Sequence, residues 1–221
     1  MVIFKDSVEI FSYKIHNRSH LETLFIEASS YFLAYRTNLT PNMSNVAKVG
    51  VFIQYSVEWF KFIGKVLALN NASINTNNIT FYTTYEQFQK QYKLPAFKLE
   101  ANDYQLSKWG PKMWNFLHLT SILIKDDEYL TSVFGCLMLN FNLMIFCGLC
   151  SENFKKKNPI NSILLKIKYS KDPITVMYHF HNVVNASLRK NLYSIYDFMS
   201  TYNLTRKYID TIEYIEDIDI S

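Results

Sequence analysis

Apolar side chains recur at three- and four-residue intervals along most of this chain, the spacing that gathers them on one face of an α-helix. The pattern predicts helices over residues 19–35, 55–69, 85–92, 111–124, 128–143, 147–157, 173–190 and 192–212. In the second of these, Trp59, Phe62, Ile63 and Val66 share one side, with Glu58, Lys61 and Lys65 interspersed. Ser19-His-Leu-Glu22 has the form of a capping box. Pro111 and Pro173 suit first helical turns, where a missing N–H breaks no bond. Residues 38–44, with Pro41, and the Asn/Ser/Thr-rich residues 70–80 predict loops, and the acidic residues 213–221 a frayed tail. The expected fold is all-α: an N-terminal helical region over residues 1–97, then a compact helical bundle over residues 98–221.

Residues 129–151 carry no charge and are long enough to span a bilayer. Thr131, Ser132, Asn140 and Asn142 interrupt the run, which favours a buried bundle helix over a stable membrane span. A membrane or structural virion protein is the alternative this run would support. With 49% hydrophobic and 19% charged residues the chain can bury a core, which excludes disorder for most of its length. The net charge of +4 is modest, and Lys155-Lys156-Lys157 and Arg189-Lys190 form no basic stripe. No nucleic-acid partner is expected, and Lys155 to Lys157 read as a solvated helix face. Five glycines against 16 tyrosines and 17 phenylalanines point to A/T-rich coding. Glycosylation sequons at Asn17, Asn38, Asn42, Asn71 and Asn78 read as a by-product of that bias. Lys5 and Asp6 break the first apolar run, so no leader peptide is expected.

The cysteines change the picture. Cys136, Cys147 and Cys150 are too few for a secreted disulfide framework. Cys147-Gly-Leu-Cys150 has a spacing used for redox chemistry or metal binding. If Cys147 opens a helix, its thiolate meets unpaired N–H groups and the positive end of the dipole, with Cys150 one turn on. Two thiols giving up two electrons need an acceptor. Gly50, Gly64, Gly110, Gly135 and Gly148 make no G-x-G-x-x-G, which argues against a Rossmann-bound cofactor. A flavin held in a helical bundle by aromatic faces, imidazoles and amides remains open. Trp114 and His118 lie four residues apart, as do His181 and Asn185, with Asn182 adjacent and Lys190 a candidate phosphate partner. A zinc module on Cys147, Cys150, His179 and His181 has suitable ligands. Its wide gap and H-x-H spacing fit no common finger, and it leaves Trp114, His118 and Asn185 without a role. Cys136, eleven residues before Cys147, would lie ~16 Å from it on a continuous helix and reads as a buried small hydrophobe.

Three blocks, taken in order, carry a resemblance: Trp109-Gly-Pro-Lys-Met-Trp-Asn-Phe-Leu-His118, Cys147-Gly-Leu-Cys150, and His179-Phe-His181-Asn182-Val-Val-Asn185-Ala-Ser-Leu-Arg-Lys190. Over about residues 103–197 the chain resembles the Erv/ALR family of FAD-linked sulfhydryl oxidases. The resemblance implies a homodimeric helical bundle around FAD. Protein dithiols would be its substrates, with electrons passing through the cysteine pair to FAD and then to oxygen, giving hydrogen peroxide. It implies Cys150 as the thiol beside the flavin and Cys147 as the one exchanging with substrate. It also implies Gly110, Trp114, His118, His179, His181, Asn182, Asn185 and Lys190 around the cofactor, Tyr196 closing the site, and no metal. Departures are Phe146, where the family often has Pro, Asn153, where many members have His, and Val176 at an often aromatic position. A shuttle C-x-x-C is also missing. With the long N-terminal extension, these features resemble the viral members of baculovirus type. That implies disulfide formation in virion proteins, in the host cytoplasm or nucleus or in the virion.

Overall fold

A computed structural model describes residues 2–39, 46–69, 85–145 and 147–218. The connector predicted at 70–80 and most of the loop predicted at 38–44 lie outside the described residues. In chain order the elements are β1 (Val2–Ile15), α1 (Arg18–Leu39), α2 (Val46–Ala68), α3 (Tyr85–Tyr92), α4 (Leu106–Leu123), α5 (Glu128–Met138), α6 (Gly148–Lys156), α7 (Lys166–Ser170), α8 (Pro173–Ser187), α9 (Ile195–Thr201) and β2 (Leu204–Ile218). 3₁₀ turns at Ala101–Tyr104 and Phe141–Met144 and a π turn at Ile160–Leu165 join some of them. Helix dominates, as the apolar spacing predicts.

One element departs from that spacing. β1 pairs antiparallel with β2, from Val2 opposite Ile218 to Ile15 opposite Leu204. The ribbon replaces the end of the helix predicted over 192–212, of which α9 forms the start, and the described part of the predicted frayed tail. Along β1 the inward set is Phe4, Asp6, Val8 and Ile10, then Phe11, Tyr13 and Ile15. Its parity flips at an irregularity between Ile10 and Phe11, where β2 carries the extra residue, Ile209, between the partners Tyr208 and Asp210. That break hides the two-residue period from a sequence template.

The core is aromatic. α1 buries Leu21, Phe25, Ala28 and Phe32, a four-three-four spacing, against α4. Phe116 of α4 stacks on Phe32 at 4.2 Å and on Phe25 at 5.9 Å between centroids. Trp59 of α2 is fully buried among Phe32, Phe62, Phe134 and Phe141. One continuous core thus crosses the change of pattern near residue 98. Asn17 rather than Ser19 caps α1, its Oδ1 accepting from the His20 N–H and the Ser19 hydroxyl, both at 3.1 Å. α4 begins five residues before Pro111, leaving that proline inside the helix. Its missing N–H falls opposite the carbonyl of Ser107, an exposed position where water can serve. The charge-free run at 129–151 divides into α5, a 3₁₀ turn and the start of α6. Among the described residues no helix is long and apolar enough to cross a membrane.

Asp172 fastens the ribbon to α8. Its Oδ1 accepts from the Thr175 N–H at 3.0 Å, and its Oδ2 from the Thr175 hydroxyl at 2.5 Å and the Phe11 N–H at 3.2 Å. With its one proton so committed, Thr175 Oγ1 accepts from the Tyr13 hydroxyl at 2.8 Å. Asp172→Ala would strand three donors in a buried setting and should lower the urea-unfolding free energy by about 2–3 kcal/mol. Asp172→Asn, which keeps an acceptor oxygen, should lose roughly 1 kcal/mol. Equal losses in the two variants would contradict this capping role.

Candidate functional site

A cavity of about 570 Å³ opens between α4, α6, α8 and the segment running into α9. α4 contributes Gly110, Trp114 and His118, four residues apart and so on one face. α8 contributes Phe180, His181, Val184 and Asn185, and α6 with its C-cap contributes Cys150, Asn153, Phe154 and Lys157. Lys190, Tyr193 and Tyr202 close the remaining side.

The imidazoles form the fixed wall. His118 Nε2 lies 2.9 Å from His181 Nδ1, and the His181 ring stacks on Trp114 at 4.0 Å and 11°. Such a contact needs one nitrogen protonated and the other bare. His118 is fully buried, and burial, then the neighbouring His181, holds it well below the ordinary imidazole range. Burial, then the positive charge of Lys190, lowers His181 to about 4. Both rings are therefore neutral at neutral pH. His118 Nδ1 is buried with no hydrogen-bond partner among the described residues. Asn182 turns away from the cavity to clamp the following segment, accepting from the Tyr193 N–H at 2.7 Å and donating to its carbonyl at 3.0 Å. The Tyr178 hydroxyl donates to the same carbonyl at 2.9 Å.

Cys147 and Cys150 are joined as a disulfide, with Cα atoms 5.1 Å apart. Cys147 caps α6, its Sγ accepting from the Cys150 N–H at 3.2 Å. Cys150 lines the cavity and Cys147 does not. On the other side Leu149 is 72% exposed, and a Cβ on Gly148 would meet nothing within 4 Å. The disulfide thus lies, half-buried, between a largely apolar cavity and an exposed helix start.

The model of the Erv1 / Alr family matches residues 111–203, from within α4 to the turn after α9. Proteins named FAD-linked sulfhydryl oxidase from three African swine fever virus isolates (tick, Malawi; pig, Kenya; warthog, Namibia) are each 31% identical to it over 111 residues. That alignment covers 48% of this chain and 87% of each relative. This chain belongs to the Erv1 / Alr family. No solved structure matches it.

In this Erv1 / Alr member, Gly110, Trp114, His118, Cys150, His181, Asn185 and Lys190 meet at the cavity, with Cys147 bonded to Cys150 but outside the lining. His179 and Tyr196 do not: both are exposed, Tyr196 at 83%, and neither lines it. His179 follows from α8 geometry, since residues two apart point to different faces. The same fact answers the zinc alternative. His179 and His181 diverge, the cysteines bond each other, and no group of three or more candidate ligands occurs among the described residues. Cys136, expected buried, is free and exposed on α5. Lys155 and Lys156 are exposed as expected, but Lys157 is half-buried and lines the cavity. Phe154, at Cys150 plus four, could have been found from helical spacing. Tyr193 and Tyr202 carry no such signal, since the irregular segment between α8 and α9 brings them in.

Stability should follow the two imidazoles. In the unfolded chain they protonate near 6.5, whereas folded His181 resists protonation down to about 4. Between those values the unfolded state binds the extra protons, so stability is full above pH 6.5 and falls as pH drops toward 4. Thermal unfolding from pH 7.5 to 4.5 should give a falling Tm, and His181→Gln should flatten the slope. An unchanged slope in that variant would show that His181 does not stay neutral.

Proposed function

We propose that this chain is an FAD-dependent thiol oxidase that forms disulfides in protein substrates. The observation that carries the reading is the half-buried disulfide at the cavity wall, with Cys150 lining the cavity and Cys147 outside it beside the exposed Gly148-Leu149 turn. The cavity residues fit a flavin dinucleotide. Trp114 offers an aromatic face, His118 Nδ1 an unspent polar atom, Asn185 an amide and Lys190 a cation, in a largely apolar enclosure.

The chemistry of the chain's own residues follows from that division. A substrate thiolate attacks Cys147 Sγ from the open side above Gly148, the Cys147–Cys150 bond breaks, and the electron pair leaves on Cys150 Sγ. The second substrate thiolate then attacks the mixed disulfide, releasing the oxidised substrate and a Cys147 thiolate. The Cys150 N–H, which already donates to Cys147 Sγ, can hold that charge. Exposed Leu149 gives incoming substrate an apolar contact beside the reacting sulfur. FAD, when bound, supplies the two-electron acceptor for the reduced pair, with oxygen as terminal acceptor and hydrogen peroxide as product. His118 and His181, neutral and fixed, keep the cavity wall rigid and water out of the space beside Cys150. The viral relatives support substrates among virion proteins, made in the host cytoplasm or nucleus, and the family resemblance supports a homodimer.

The purified protein should be yellow, with flavin absorption that bleaches on dithiothreitol and recovers in air. Cys147→Ser and Cys150→Ser should each reduce dithiothreitol oxidation to background while retaining flavin. Turnover at the wild-type rate in both variants would refute the mechanism.

A further inference from the structure

The cavity has a charge balance that the disulfide chemistry does not require. Among the described residues no carboxylate lines it, and with His118 and His181 neutral the charged groups there are Lys157 and Lys190. Neither ammonium has an ion-pair partner among the described residues, whereas Lys155, two residues from Lys157, pairs with Glu152 at 3.0 Å. Lys157 is half-buried and Lys190 exposed at the cavity's rim, so a ligand in this largely apolar cavity meets two ammonium groups that no described acid neutralises, a setting that favours an anionic group. A dinucleotide's diphosphate carries two negative charges, matching the two lysines.

We infer that Lys157 is a phosphate-binding residue, the second cation of a diphosphate subsite shared with Lys190. The inference rests on the thiol oxidase reading and extends it to a residue that had read as solvated helix surface. Cys150, Asn153, Phe154 and Lys157 follow helical spacing along one face of α6 and its cap. One short helix therefore presents the redox sulfur at its start and the phosphate cation at its end. Lys157 then selects a flavin dinucleotide over flavins without the diphosphate, because its contribution vanishes for riboflavin.

The test is titration of the full-length chain, freed of flavin, with FAD and separately with riboflavin, following flavin fluorescence at two salt concentrations. Lys157→Gln should weaken FAD binding about ten- to hundredfold and reduce its salt dependence, with riboflavin affinity unchanged. Lys157→Arg should restore most of the FAD affinity. Wild-type FAD affinity in Lys157→Gln would overturn the inference. Equal losses for FAD and riboflavin would also overturn it, by assigning Lys157 to packing. Failure of the wild-type chain to bind either flavin would instead overturn the thiol oxidase reading, and this inference with it.

Discussion

Two neutral imidazoles facing each other across 2.9 Å hold α4 against α8, and most of the site's geometry follows from that contact. A proton on both rings would turn an attractive bond into a repulsion between buried cations, so the contact persists only where desolvation keeps the rings uncharged. Phe198, Tyr193 and Tyr202 supply that environment by packing around His118 at centroid distances of 5.1, 6.2 and 6.0 Å. With His181 so fixed, Trp114 can lie parallel to it, and a flat wall results. The aromatic surroundings of the histidines thus serve the site as much as the core.

The second constraint is the cap of α6. A cysteine at the N-cap has non-helical backbone and points its sulfur at the first turn, while a cysteine three residues later lies on the helix face. The two sulfurs are bonded, yet their surroundings differ. The Ser151 hydroxyl pins this turn to the Asn142 carbonyl at 2.9 Å, so the disulfide is presented from a braced helix start. The preceding 3₁₀ turn at Phe141–Met144 makes that brace possible by bending the chain between α5 and α6.

The parts of the site that sit on long helices were legible because helical spacing decides which side chains share a face. Trp114 with His118, and His181 with Asn185, are such pairs, and each reaches the cavity. His179 was assigned by resemblance against that same rule, and it is exposed. Lys157 was misread for the opposite reason: a run of three lysines looks solvated as a block, whereas a helix turns successive residues through about 100° and aims one inward. Helix content was legible for its period. The ribbon was not, because a bulge breaks its alternation and its partner strands lie at opposite ends of the sequence. Nothing local in residues 204–218 indicates that residues 2–15 wait to pair with them.

That ribbon matters for more than closure of the chain. β1, α1 and α2 lie outside the span matched by the family, yet β1 reaches the cavity indirectly through Asp172. Phe11 and Tyr13 bond Asp172 and Thr175, which together define where α8 starts. His181 sits nine residues after Asp172, ~13 Å along one unbroken helix. A helix of that length behaves as a rod, so fixing its first turn fixes the height at which His181 meets His118. β2 completes the same brace from the other side, leaving α9 at Thr201 and Tyr202, both of which line the cavity, before it pairs with β1. The two ends of the chain therefore act on one site from opposite directions, so the regions flanking the family-matched span are part of what sets its geometry.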